Sequence, residues 1–274
     1  MTALPPLREV IARHGLSARR ALGQHFLLDA NLTARIVRSA GPLAGRHVVE
    51  VGPGPGGLTR ALLVSDATSV TVIEVDQRAI DAMRELEAEV GGRLRVVAGD
   101  ALDVDVASLV AAPRQIIANL PYNIATPLLV GWLRQAGAFE RLTLMFQQEV
   151  AERICAAPGS AAYGRLSVLA QWTCRTELVL RIPPSAFVPP PKVHSAVVGF
   201  VPHDVQPEAS FLARMEKLTA AAFGQRRKML RGALKAVGGE ALLAAAGIAA
   251  DRRAETLSVA EFDRLARLVS AQQC

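Results

Sequence analysis

His47-Val-Val-Glu-Val-Gly-Pro-Gly-Pro-Gly-Gly57 decides the fold: a short apolar run passes directly into a glycine-rich turn. Residues 58–64 beyond the turn predict a helix, so strand, turn and helix open a βαβ unit. Downstream, Val70-Thr-Val-Ile-Glu74 predicts a second strand. Residues 77–90 predict a second helix, with Ile80, Met83, Leu86 and Val90 at helical spacing. Residues 94–98, 115–118 and 142–146 read as further strands, with a helix from about Thr126 between the last two. Upstream, residues 31–40 predict a short helix stopped by Gly41-Pro42. Unbroken Val/Ile strands alternating with helices imply an α/β fold with a mostly parallel sheet covered on both faces. From about Thr176 the pattern changes to strands at 177–182 and 195–201, separated by the proline-rich loop 183–191. After Pro207 everything reads helical, over 208–223, 225–237, 239–246 and 258–270. The expected organisation is an α/β domain over residues 1–203 and a small all-helical domain over 204–274, joined by the polar link His203-Asp-Val-Gln-Pro207.

The chain has 274 residues, 51% of them hydrophobic, with a mean hydropathy of +0.26. That apolar share supports a sizeable core and excludes wholesale disorder. The longest apolar run, residues 241–250, falls well short of the ~18 residues of a membrane span. The opening MTALPPLREV sets two prolines and an Arg–Glu pair where a secretion signal needs an apolar stretch. Cys155, Cys174 and Cys274 are far apart, with no CxxC and no histidine partners at metal spacing. A cytoplasmic, metal-free protein with no membrane association is expected. The net charge of +6 is unevenly placed. Residues 1–47 carry seven arginines against two acids, residues 48–204 carry 13 basic against 16 acidic groups, and residues 205–274 carry 11 against seven. An acidic centre between basic ends suggests a ligand domain flanked by surfaces that attract a polyanion.

Several residues carry candidate chemistry. Glu50-x-Gly52-x-Gly54-x-Gly56 lies on a strand-to-helix turn, where glycines let a ligand approach the backbone and a helix N-terminus offers free N–H groups. Gly52, Gly54 and Gly57 also satisfy the dinucleotide fingerprint GxGxxG, so the turn alone is ambiguous. Glu74 ends the next strand, where a carboxylate can accept both ribose hydroxyls of an adenosine, a feature shared by NAD and S-adenosylmethionine sites. Asp100 and Asn119 end the third and fourth strands; each alone reads as a cap or turn residue. Asn119-Leu-Pro-Tyr122 is the sharpest signal, similar to the (Asn/Asp/Ser)-Pro-Pro-(Tyr/Phe) motif of amino-group methyltransferases. An exocyclic adenine amine is a poor nucleophile because its lone pair is delocalised into the ring. Accepting its N–H bonds with the Asn119 oxygen and the Leu120 carbonyl would aim that lone pair, while Tyr122 offers a flat stacking face. Phe187, in a proline-fixed loop, is read either as the second stacking ring or as a core residue. Arg226, Arg227, Lys228 and Arg231 open a predicted helix, as a solvated face or as a phosphate-binding patch; with Arg19 and Arg20 the second reading is preferred.

Taken together these residues resemble the ribosomal RNA small-subunit adenine dimethyltransferases. The resemblance covers nearly the whole chain: Leu22-Gly-Gln-His-Phe-Leu27, Glu50-Val-Gly-Pro-Gly54, Ile73-Glu-Val-Asp76, Gly99-Asp100, Asn119-Leu-Pro-Tyr122, Phe187-x-Pro-x-Pro-Lys-Val-x-Ser195 and Phe223-Gly-Gln-Arg-Arg-Lys228. It implies a Rossmann-like class I methyltransferase fold with a helical RNA-binding domain at the C-terminal end. It also implies dimethylation of N6 on two adjacent adenines in the 3′-terminal hairpin of 16S rRNA, with S-adenosylmethionine as cofactor. The expected substrate is an immature small ribosomal subunit, and the expected state is a monomer. Carried over by position, His25, Leu27, Gly52, Gly54, Glu74, Asp100 and Asn119 would contact the cofactor. Asn119, Leu120, Tyr122 and Phe187 would act on the target base. His25 stands where the family commonly has Asn, and imidazole replaces only one amide hydrogen bond at a time. The rival readings are a large-subunit rRNA methyltransferase, a non-catalytic nucleic-acid-binding factor and, more remotely, an NAD-dependent oxidoreductase.

Overall fold

The predicted strands assemble into one seven-stranded sheet in the computed structural model, which describes residues 4–16, 25–225 and 227–269. Arg19, Arg20, Leu22 and Arg226, singled out above, lie outside the described residues. Contacts divide the chain into two units, Met1–Ala151 with Glu177–Val201 and Glu152–Thr176 with Pro202–Cys274.

In the first unit, α1 (Leu7–Arg13), β1 (Phe26–Leu27) and α2 (Ala30–Ser39) precede the alternating core. That core runs β2 (His47–Val51), α3 (Gly57–Val64), β3 (Ser69–Glu74), α4 (Gln77–Glu89), β4 (Leu94–Ala98), α5 (Val106–Leu109), β5 (Arg114–Asn119), α6 (Tyr122–Leu133) and β6 (Arg141–Gln147). The sheet order is β4-β3-β2-β5-β6-β9-β7, where β7 is Cys174–Ile182 and β9 is Ser195–Pro202. Strands β4 through β6 pair in parallel, and β9 adds antiparallel to β6. Val48, Val49, Val70, Val72, Ile116, Ile117, Leu142 and Leu144 are buried, as a sheet covered on both faces requires. From β2 the chain builds outward to β3 and β4, and from β5 it builds the other way. The switch point therefore lies between β2 and β5, where open α/β sheets bind ligands. The sequence showed no sign of the two-residue ladder between β1 and β8 (Phe187–Val188), which pairs Phe26 with Val188 and Leu27 with Phe187.

The second unit holds α8 (Arg165–Thr173), α9 (Ala209–Gly224), α10 (Leu230–Ala233), α11 (Gly239–Ala245) and α12 (Val259–Leu268), and α7 (Gln148–Ile154) ends in it. The expected boundary at 203/204 misses residues 152–176, which pack with this unit. The Trp172 indole donates to Asp263 at 2.9 Å, Tyr163 meets Phe223 edge-on at 6.0 Å, and His203 N–H donates to the Thr173 carbonyl. The predicted helix 225–237 is also corrected. Gly224 ends α9, Lys228 N–H turns back to the Gln225 carbonyl, and α10 begins only at Leu230, so Arg227 and Lys228 sit on an exposed turn. A capping box between Ser258 and Glu261 starts α12, and Arg252 holds the Glu261 carboxylate down at about 2. This lowered pKa contributes stability above the ordinary glutamate range that is lost as pH falls towards 2. In acid melts, Glu261→Gln is expected to lower the melting temperature at pH 7 and to converge with the parent near pH 2. Parallel curves would remove the assignment.

No helix among the described residues is long and apolar enough to cross a membrane.

Candidate active site

Three local devices bring polar side chains to the switch point. The first is the turn after β2. Gly52 and Gly54 have φ of +69° and +53°, in the left-handed region that glycine adopts without a Cβ clash. A Cβ on Gly54 would lie 3.0 Å from the Phe26 ring, and one on Gly57 would collide with the Leu27 carbonyl oxygen.

The second device is the pair of strand ends β3 and β4. The buried Glu74 carboxylate accepts the N–H groups of Val75 and Asp76 on one oxygen, at 2.8 and 2.9 Å, and that of Gly54 on the other at 3.3 Å. Burial raises its pKa and these three bonds oppose the rise. Asp100 caps its own turn by accepting the Leu102 N–H at 2.9 Å, and Gly99 N–H ties the end of β4 to the Glu74 carbonyl.

The third device is Asn119–Tyr122. The predicted helix start near Thr126 is four residues late: Pro121 occupies the N-cap, and α6 begins at Tyr122. Asn119 donates from Nδ2 to the His25 carbonyl at 3.3 Å. A carbonyl only accepts, so one of the two amide N–H groups is engaged there, which fixes the orientation of the amide and leaves Oδ1 as an acceptor. His25 donates from Nδ1 to the Pro189 carbonyl at 2.8 Å, and its ring lies 5.8 Å from that of Tyr122. The Tyr122 hydroxyl and Ser195 Oγ are 2.6 Å apart, and burial pushes the phenol pKa up, keeping the ring neutral.

These devices enclose a cavity of about 300 Å³. Every expected cofactor contact from His25 to Asn119 lines it, as do Leu120 and Tyr122. Phe187 does not. It is 2% exposed, belongs to the apolar core and meets the His25 ring edge-on at 6.4 Å, because its pairing with Leu27 turns it inward. Arg227, Lys228 and Arg231 are exposed in the second unit. The sequence reading gave no role to Ser195 or Thr59, although Ser195 closes the Phe187-to-Ser195 motif. Glu50 was quoted in the glycine motif without a role; it is buried and lines the cavity. Three carboxyl groups, Glu50, Glu74 and Asp100, therefore face this space, and no lysine or arginine among the described residues lines it. A pyrophosphate would be repelled here, whereas a cationic adenosine-bearing ligand suits the lining.

Comparison with known proteins agrees with this chemistry. The profile of one family, described as ribosomal RNA adenine dimethylase, matches residues 15–270. The chain belongs to the ribosomal RNA adenine dimethylase family. It is 64% identical over 266 residues to "Ribosomal RNA small subunit methyltransferase A" of Gluconobacter oxydans, covering 97% of this chain and 88% of the relative. The protein of the same name from Rhodospirillum rubrum is 56% identical over 269 residues, covering 98% and 93%. Among solved structures, a dimethyladenosine transferase from Plasmodium falciparum superposes with a TM-score of 0.73 at 26% identity, covering 88% of this chain and 96% of that one. The 23S rRNA methyltransferase ErmE superposes at 0.68 with 27% identity, covering 89% and 99%. As a ribosomal RNA adenine dimethylase of class I methyltransferase fold, the chain is an S-adenosylmethionine-dependent enzyme, and the oxidoreductase reading falls.

Proposed function

We propose that this chain dimethylates N6 of two adjacent adenines in the 3′-terminal hairpin loop of small-subunit (16S) rRNA. In this reading it acts as a cytoplasmic monomer on an immature small ribosomal subunit. The observation that carries the reading is Asn119, one of whose amide N–H groups is held by the His25 carbonyl while its oxygen is left to the acidic cavity.

Bound S-adenosylmethionine supplies a methyl group on a cationic sulfur. Glu74 would take the ribose hydroxyls, Asp100 the cofactor adenine and Gly52 and Gly54 the methionine portion, with His25 and Leu27 closing the N-terminal side. For the target base, Asn119 Oδ1 and the Leu120 carbonyl accept the two amine N–H bonds and favour a pyramidal nitrogen. Tyr122, tethered by Ser195, stacks on the ring, worth roughly 1–3 kcal/mol per base. Phe187 acts as the buried edge that holds His25, in place of the open second face expected from the sequence. Alignment of the amine, rather than acid–base chemistry, is the protein's main contribution, and the methylated amine loses its proton to water. A singly methylated amine rebinds through its one remaining N–H.

The relatives named for the small subunit, at 56–64% identity, favour that target over the large subunit of the ErmE likeness. An intact Asn119–Tyr122 and Glu74 speak against a purely binding role. The test is transfer of labelled methyl to under-methylated small subunits, with large subunits and free RNA in parallel. Label as dimethyladenosine in small subunits alone supports the reading, and label in large subunits replaces it. The exposed Arg227 and Lys228 are expected to bind phosphates. Replacing both by alanine should reduce the slope of log affinity against log salt by about 1 per charge. An unchanged slope returns them to a solvated surface.

A further inference from the structure

The Glu50 carboxyl is left over from this mechanism. It sits on β2 at the floor of the cavity, 2% exposed, and its one side-chain partner is Thr59, which donates to Oε2 at 2.7 Å. Among the described residues, no lysine or arginine lines the cavity beside it. The same cavity is lined from β3 by the Glu74 carboxylate, from the turn after β4 by Asp100, and from the N-terminal segment by His25. From β5 the neutral Asn119 lines it too, while α3 contributes the hydroxyl of Thr59 on Glu50 and α4 the Met83 sulfur, 3.8 Å from that hydroxyl. Arg60, next to Thr59, donates instead to the Pro5 carbonyl. A buried carboxyl among carboxylates, with one hydrogen bond and no counter-charge, holds its proton until a positive charge arrives. Burial first, and Glu74 in addition, push its pKa up to about 8 against the Thr59 bond.

We propose that Glu50 is a proton-linked counter-charge for the cofactor, protonated in the ligand-free chain and ionised when a cationic ligand fills the cavity. Its O–H bond breaks, the electron pair stays on the carboxylate and the proton passes to solvent. The inference rests on the reading that the cavity takes S-adenosylmethionine. It adds that the enzyme measures the ligand's charge as well as its adenosine. Because an ionised Glu50 is costly without a cation, affinity for the charged cofactor rises with pH while affinity for neutral adenosine does not.

Calorimetric titration of the full chain, in buffers of different ionisation enthalpy, tests this. At pH 7, S-adenosylmethionine is expected to release most of one proton per chain, and adenosine none. Between pH 6 and 7 the affinity for S-adenosylmethionine should tighten by close to tenfold, with adenosine unchanged. Glu50→Gln should abolish both the release and the pH dependence. Thr59→Val, which removes the bond favouring the ionised form, should move the tightening to higher pH. Binding without proton release would overturn the proposal. So would release retained in Glu50→Gln, which would assign it to another group. Failure of S-adenosylmethionine to bind at any pH is a different result: it removes the cofactor assignment for this cavity and the inference with it.

Discussion

Asn119→Ala is expected to lower methyl transfer by about 10³-fold while leaving RNA affinity within about twofold, the scale seen when one preorganised polar group is removed from a reacting centre. The structure explains the separation of effects. Asn119 lies at the end of β5 and lines the cavity, and among the described residues its side chain is held by one bond to the His25 carbonyl. Alanine removes that bond and the oxygen meant for the amine, but it changes no exposed basic residue. Asn119→Asp sharpens the test. It keeps an acceptor, but sets a carboxylate against the His25 carbonyl and adds a fourth carboxyl group to the cavity. Transfer should fall again, and the loss should ease as pH drops. Turnover with labelled cofactor, alongside filter binding of small subunits, distinguishes the cases. Parallel loss of turnover and binding in Asn119→Ala would remove the residue from the reaction.

Gly57→Ala is expected to be the most damaging single methyl group in the first unit. The added Cβ would meet the Leu27 carbonyl, a backbone atom fixed by the pairing of Leu27 with Phe187, so the neighbour has little freedom to give. Overpacking of this kind costs about 3 kcal/mol. For a domain of this size that corresponds to roughly 6–12 °C in melting temperature. Cofactor affinity should fall with it, because Leu27 and His25 line the cavity and would be pushed aside. Gly99→Ala is the control. A Cβ there meets nothing within 4 Å, and the change should stay within about 0.5 kcal/mol. Equal melting temperatures for the two variants would contradict the close approach.

The β2-to-α3 turn was legible in the sequence because strand and helix periods change abruptly across it. Glu74, Asp100 and Asn119 were legible because a parallel sheet puts all its strand ends on one edge. The register between distant segments was not, since nothing local marks Phe26 and Leu27 as partners of Val188 and Phe187. That pairing is what turns Phe187 inward and makes it a support for His25. The start of α6 was misplaced because Pro121 reads as a breaker, yet it is tolerated just before the first helical turn. The basic run 225–231 carries good helix formers, but tertiary bonds from Leu230 N–H to Arg252 and from Arg231 N–H to Ala250 break the helix there. Glu50 looked like part of a glycine motif, and only its burial, with no lysine or arginine lining the cavity among the described residues, sets it apart.

The ladder between Phe26–Leu27 and Phe187–Val188 joins positions 27 and 187, 160 residues apart. During synthesis at about 5–20 residues per second, Leu27 leaves the ribosome roughly 8–32 s before Phe187. The βαβ core between them has mostly neighbouring partners and can form in that interval. The ladder cannot form until its second strand exists, and it closes a loop far longer than any between neighbouring strands of the core. The wall that carries His25 and Leu27 is therefore finished late, after the βαβ core. An enzyme that modifies ribosomal RNA thus acquires its own closed pocket only when about two thirds of its chain has been made.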